Sequence, residues 1–227
     1  GTFSAKALQV GTMSGEEINF TIDSVESSLL GAYTIVGENN LSAYAAATDY
    51  ANTANNTEDA DDITIVGNGN TRTVDISAND TAKDIAKKIN SVAGATTVFA
   101  QARTFAHLAS GSATETSYQV AINGTETAAF TISSNDVADA VSKINAISST
   151  TGVMASATTE NQVLLTDSDG DDIVIANSTS GTDLTVKAVG NDGITEQTDT
   201  AISLAAAGST DTTLVTGTLR LSSSSGF

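Results

Sequence analysis

The sharpest chemical candidate in the chain is an acidic run, Asp167-Ser168-Asp169-Gly170-Asp171-Asp172. Asp167, Asp169 and Asp171 alternate as the first three ligands of a calcium loop do, and carboxylate oxygens are what a hard divalent cation selects. The pattern then fails. Position six is Asp172 where such loops need glycine, and position twelve is Ser178 where they supply a bidentate glutamate. The plainer expectation is an acidic hairpin turn, because Asp and Gly both suit turn geometry. Glu58, Asp59, Asp61 and Asp62 form a second charge run, which reads as a solvated loop.

Little else could do chemistry. The single histidine, His107, lies between Phe105 and Leu108. With no cysteine and no second histidine, zinc coordination and a nucleophile–histidine pair are disfavoured, and a partly packed polar residue is the plainer expectation. No metalloprotease, nucleophile-elbow or Walker-type motif occurs. Gly67-Asn68-Gly69-Asn70 falls between two strand-like runs with no helix after it, so it reads as a turn rather than a phosphate cradle. Carboxylate pairs abound, but a chain with no tryptophan and four tyrosines lacks the aromatic platforms of a sugar-cleaving cleft. We therefore expect no enzyme, no catalytic residue and no cofactor. Asn-x-Ser/Thr sequons occur at Asn19, Asn40, Asn55, Asn79, Asn123 and Asn177, close to background in a chain so rich in Asn and Thr, and are not read as glycan sites.

The elements that position these residues centre on two related stretches, NDTAKDIAKKIN at 79–90 and NDVADAVSKIN at 135–145. Ala82, Ile85, Ala86 and Ile89 fall at helical spacing on one face, and so do Val137, Ala140, Val141 and Ile144. Asn79 or Asp80 is placed to cap the first helix, and Asn135 or Asp136 the second. Asp84–Lys88 and Asp139–Lys143 are i,i+4 pairs. Each helix sits in a larger unit. Ile63 and Ile65, a Gly-Asn turn, then Val74 and Ile76 predict a hairpin before the first. Val120 and Ile122, Asn123-Gly124, then Phe130 and Ile132 predict one before the second. Strand patterns follow both, at Val98, Ala100, Ala102 and at Val153, Ala155, Ala157. The second copy runs on through Val163 and Leu165 to a further hairpin, whereas the first ends in a shorter, less regular FAHLASG. The fold class expected is α+β and strand-dominated, with repeated β-hairpin–helix–strand units on a hairpin-based stem.

Composition narrows the function classes. The chain of 227 residues carries 27 acids against nine bases, a formal charge of −18. Nucleic acid and anionic membrane surfaces need a basic footprint, so neither is expected as a partner. No apolar run is long enough to span a bilayer. There is no cysteine and no proline. The start has neither the basic nor the apolar region of a signal peptide, and both ends break in strand-like sequence, which leads us to expect an internal fragment of a longer protein.

Three features resemble bacterial flagellin. LQVGTMSGEEINFTIDSVESSLLG resembles a phrase that in flagellins lies in the hairpin of the inner core domain. Gln9, Val10, Gly11, Gly15, Glu16, Ile18, Ile22, Leu30 and Gly31 carry the match, and Thr12 and Met13 depart from it. The repeated unit resembles the flagellin hook IN motif, named for the Ile-Asn that ends its helix: Ile89-Asn90 and Ile144-Asn145. Thr151 to Ala157 match the strand that follows in that motif closely, and Ala95 to Ala102 loosely. The end, GTLRLSSSSGF, resembles the strand by which flagellins return to the inner core.

The resemblance implies an organisation: an edge hairpin of the inner core at 1–40, an insertion or linker at 41–61, a first hook-IN-like repeat at 62–116, a second at 117–190, and returning strands at 191–227. It implies the surface-exposed outer domains of an extracellular flagellar filament, exported by the flagellar secretion apparatus. Neighbouring flagellin subunits would be the partners, through terminal helices outside this chain, so the fragment itself would be monomeric. Surface glycans and host receptors are further partners consistent with such a surface. The alternatives in view are a hook-filament junction or cap protein, and a calcium-stabilised adhesin-like surface module using Asp167, Asp169 and Asp171.

Overall fold

The computed structural model describes residues 32–37, 55, 57, 62–112, 114–179, 183–197, 201–205 and 211–227, together with the backbone of three further strands, Phe3–Gln9, Glu17–Ile22 and Leu41–Tyr44. It is α+β and dominated by antiparallel strands. Strands β1 (Phe3–Gln9) and β2 (Glu17–Ile22) pair as the expected hairpin, with Leu8 opposite Ile18. The turn expected at 11–15 and the apolar residues Val25, Leu29 and Leu30 lie outside the described residues. Two strands fall where low-complexity sequence gave no decision: β3 (Tyr33–Val36) and β4 (Leu41–Tyr44).

The first repeat begins with the hairpin β5 (Ile63–Gly67) and β6 (Asn70–Val74). Its turn residues Asn68 and Gly69 have φ of 49° and 68°. This is the left-handed pair that a two-residue hairpin matching strand twist requires, and Asn and Gly tolerate it best. Helices α1 (Ala82–Ser91) and α2 (Ala93–Thr96) follow, then the 13-residue strand β7 (Val98–Ser110). Ile65, Val74, Ile76, Ala82, Ala86, Ile89, Val98, Ala100 and Ala102 form one core, with Leu219 and Leu221 packed against it. The helical stripe read from the sequence faces this core, except that Ile85 is only partly buried.

The second repeat follows the same path with one adjustment. Its hairpin is split: β8 (Thr116–Tyr118) and β9 (Val120–Ile122) run out, and β10 (Thr125–Glu126) and β11 (Phe130–Ile132) return. Asn123 and Gly124 repeat the turn, at φ 46° and 78°. Helices α3 (Ala138–Asn145) and α4 (Ser148–Thr151) lead into β12 (Val153–Ala157). The turns sit 55 residues apart (68 and 123), the inward residues of the return strands 56 apart (74 and 130, 76 and 132), and the helix-end asparagines 55 apart again (90 and 145). The split return strand holds one extra residue, and the shorter helix start removes it.

After β12 come β13 (Val163–Asp167), β14 (Ile173–Asn177), β15 (Leu184–Ala188), β16 (Ile202–Leu204), β17 (Thr212–Val215) and β18 (Thr218–Ser223). One sheet has the order β12-β13-β7-β15-β16, extended from the first half of β7 by β18 and β3. A second has the order β10-β9-β14-β17-β4. The larger core lies between these sheets and α3, around Leu108, Ile122, Phe130, Ile132, Ile144, Leu165, Ile173 and Ile175.

Two readings are corrected. The segment 168–172 is no hairpin turn, because β13 pairs with β7 and β12 while β14 pairs with β9 and β17, so it crosses from one sheet to the other. The tail FAHLASG is not irregular. It is the continuation of β7, which joins both repeats: residues 98–103 pair with β18, and 104–110 pair with β13 and β15.

Removing apolar volume from a filled site costs more than removing it from a half-covered one. Ile89→Ala is expected to lower the unfolding free energy in urea by about 2–5 kcal/mol, and Ile85→Ala by about 1 kcal/mol. Equal losses would mean that α1 presents a different face to β7.

Candidate functional site

The residue for which the repeat is recognisable, the helix-terminal asparagine, has the same task in both copies. Asn90 Nδ2 donates to the Ala100 carbonyl at 2.9 Å, and the Ala100 N–H donates to Asn90 Oδ1 at 2.9 Å. Asn145 does the same with Ala155, at 2.9 and 2.8 Å. The side-chain amide presents one donor and one acceptor, as a residue of a neighbouring strand would. It occupies the strand edge that no strand takes among the described residues. Arg103 O accepts from the Thr218 hydroxyl, so odd-numbered residues of β7 face β18 and Ala100 faces away from it. β12 is the outermost strand of its sheet.

A threonine completes each clamp. Thr96 Oγ1 donates to Val92 O and accepts from Val98 N at 3.3 Å, while Thr151 Oγ1 donates to Ile147 O and accepts from Val153 N at 3.2 Å. The spacing is therefore Asn, Thr six residues on, and the clamped Ala ten on, in both copies. The residue after each threonine is left-handed, Gly152 at φ 77° and Thr97 at φ 58°. Gly67 is needed for a different reason: a Cβ there would lie 2.3 Å from Thr96 O, so only glycine lets the hairpin approach α2.

The caps differ from expectation. Thr81, not Asn79 or Asp80, accepts from Asp84 N at the start of α1. Asp80 instead accepts from Ser77 N at 2.8 Å and pairs with Lys88. Asp84 pairs with Lys87 at 3.3 Å rather than with Lys88. Burial alone would raise Asp80, but Lys88 and the Ser77 N–H outweigh it and hold its carboxyl below the usual range. In the second copy Asp136 accepts from Ala138 N, and Asp139 accepts from Thr131 N at 2.9 Å, tying α3 to β11.

The acidic segment 167–172 joins the two repeats. Asp167 is buried, and its Oδ1 accepts from the N–H groups of Asp169, Gly170 and Asp171 at 2.9, 2.9 and 3.3 Å. Asp169 and Asp171 both reach Lys83 Nζ, at 3.3 and 2.6 Å. Gly170 O accepts from Lys83 N on α1, and its Cα lies so close over Ala102 that a Cβ would meet Ala102 Cβ at 2.3 Å. The Thr104 hydroxyl donates to Asp171 O at 2.6 Å. The carboxylates of Asp167, Asp169 and Asp171 are thus divided between backbone N–H groups and an ammonium. Among the described residues no three acidic or histidine side chains are grouped to hold a metal ion. A polar cleft of about 770 Å³ lies over this junction. Asp172, at its edge, accepts from Asn55 Nδ2 at 2.8 Å, and burial pushes its carboxyl up to about 6 against that bond and the Gly217 N–H.

His107 is buried on the opposite face of the sheet from Leu108. Its Nδ1 is 3.1 Å from Glu196 Oε1, and Glu196 also pairs with Lys187 at 2.5 Å. The sequon residues Asn55, Asn123 and Asn177 use their amide nitrogens internally, on Asp172, Thr151 O and Leu204 O. Asn40, Glu58, Asp59 and Asp61 lie outside the described residues, and Asp62 accepts from Ile76 N at 3.1 Å. Sequence reasoning missed Lys83. Its partners are 86 and 88 positions away (169 and 171 against 83), and no local pattern announces them.

Residues 62–108 match the flagellin hook IN motif. The match covers the first hairpin, α1, α2, the Asn90 clamp and most of β7. It supports a flagellin-related protein, a component of the flagellar filament, in a family that is structural rather than enzymatic. No curated protein matches the chain. No helix among the described residues is long and apolar enough to cross a membrane.

Two predictions follow from this geometry. Asn90→Leu and Asn145→Leu each leave an alanine N–H and C=O unpaired, and each is expected to cost about 1–3 kcal/mol and to speed amide exchange at Ala100 or Ala155. Exchange unchanged at both alanines would show that the amide does not hold the edge. The second concerns pH. Asp172 binds its proton more tightly folded than unfolded, so its penalty is present above about pH 6 and vanishes as pH falls toward the unfolded value near 4. Asp80, Asp84 and Glu196 are shifted down, so their stabilisation is lost only at lower pH. Asp172→Asn is therefore expected to raise Tm near pH 7.5 and to have little effect near pH 4. A gain that is the same at both pH values would refute the assignment.

Proposed function

We propose that this chain is the central part of a bacterial flagellin and forms surface-exposed outer domains of the flagellar filament. The observation that carries the reading is the duplication. Residues 62–108 match the hook IN motif, and residues 117–158 repeat its hairpin turn and helix, and its asparagine clamp and threonine with the same bonds. Such units would project from the tube and set its surface charge, stiffness and antigenicity. Neighbouring flagellin subunits would be engaged through terminal helices of the longer protein. The charge of −18 suits a surface presented in many copies that must not stick laterally. A chain without cysteine suits export in unfolded form through a narrow channel, with no thiol to cross-link on the way.

The test is gold-labelling of intact cells with antibody raised to this chain. Label along the whole filament is the expected result. Label confined to the hook junction or the tip would replace the reading with a junction or cap protein. Label on the cell body alone would remove the flagellar assignment.

A further inference from the structure

We propose that the cleft over His107 binds a small primary alkylammonium group. The site lies on the outer face of the larger sheet, between the β12–β13 turn and the segment 190–197, with a volume of about 380 Å³. Two of its lining residues carry buried polar atoms with no partner among the described residues, His107 Nε2 and Gln162 Oε1. His107 itself is only 7% exposed.

The chemistry of the ligand follows from what these atoms can accept. Glu196 Oε1 takes a hydrogen from His107 Nδ1 at 3.1 Å and from Gln162 Nε2 at 3.4 Å. A carboxylate oxygen only accepts, so Nδ1 carries the ring hydrogen, and in the neutral ring Nε2 is an acceptor. Gln162 has turned its amide nitrogen to Glu196, so its oxygen also accepts. Two buried acceptors without donors are costly. A hydroxyl brings one hydrogen to them, and an ammonium brings three.

Charge points the same way. Glu160 and Glu196 line the cleft, and one cation, Lys187, already pairs with Glu196 Oε2. The local balance is one negative charge, inside a chain of charge −18. Anionic ligands are therefore opposed. Ala157, Leu164 and Ile194 form the apolar wall, and Ile194 is 77% exposed at the rim. An alkyl stem would lie along that wall with its ammonium at the floor, as a lysine side chain lies on apolar surface.

The histidine is the only one in the chain, so its two ring C–H protons give an unambiguous pair of NMR signals. The chain is titrated with n-pentylammonium chloride in mildly alkaline buffer. A saturable shift of the His107 ring and the Gln162 side-chain amide is expected, with none from 1-pentanol or pentanoate. Gln162→Leu should weaken binding by about tenfold, equivalent to about 1.4 kcal/mol. Glu160→Gln, at an exposed position that does not endanger folding, should weaken it by a smaller factor. Nα-acetyl-lysine N-methylamide distinguishes the sources. Affinity equal to pentylammonium assigns the site to a lysine side chain of a partner, and weaker affinity assigns it to a free amine. A shift that stays linear through the millimolar range, an equal response to pentanol, or unchanged affinity in both variants would overturn the proposal.

Discussion

A strand must satisfy both of its edges, and in this protein one side-chain amide per repeat does so where no strand among the described residues lies alongside. The Asn90 and Asn145 amides each give Ala100 or Ala155 the donor and acceptor that a neighbouring strand would give. Much depends on that substitution. It fixes the end of the helix against the strand that follows, so the apolar stripe of α1 or α3 is laid across the sheet at one angle. It fixes the length of the connection, because the amide reaches an alanine ten residues on. It also leaves the other edge of β7 to β18 and β15, and β18 brings the end of the chain back onto the first repeat.

The two repeats are held together by backbone continuity and by charge. β7 runs without a break from one core to the other, so the repeats share a strand rather than a linker. Along its clamped edge Thr96 covers Val98, Asn90 covers Ala100, Gly170 lies against Ala102, and β13 takes over at Thr104. The acidic segment is thus the piece that fills the gap between clamp and strand. Its charge would be a liability in that position. Lys83 offsets it, and Lys83 is well placed because its own N–H is bonded to Gly170 O in the same segment. Few bases are present, and Lys83, Lys87, Lys88 and Lys187 are all engaged with carboxylates.

Local physics was legible and partner choice was not. The helical stripes, the Asn-Gly turns and the doubled unit could be read because each depends on residues a few positions apart. The clamp was half legible: the terminal Asn stood out, and its Thr and Ala partners recur at fixed distances, but nothing in one copy says that the amide bonds the backbone. The crossover at 168–172 was misread because Asp and Gly specify a turn without saying which sheet the next strand enters. The second half of β7 was misread for a physical reason. Alternation marks a strand with one wet face, and from Thr104 to Leu108 both faces are covered. Phe105 lies under Gly193 and His107 beside Glu196, so the outer face carries buried residues too. The strands β3 and β4 were hidden by composition, since Ala, Tyr, Ser and Thr serve loop and strand alike.

The absence of proline bears on how such a chain avoids sticking to itself. Proline, inward charge, bulges and covering segments are the usual ways to blunt a sheet edge. This chain has no proline in 227 residues. Its two clamped edges are blunted by covering: an amide and a hydroxyl occupy the backbone groups at alternate residues, and the body of a helix stands beside them. A solvated charge would repel an incoming strand only over about 8 Å in physiological salt. An occupied hydrogen-bonding position removes the reason to pair at any salt concentration. In a surface displayed at high density, as the filament reading requires, that difference matters. On that proposal, charge would keep copies apart at a distance, and the asparagine clamp would remove the template if they met.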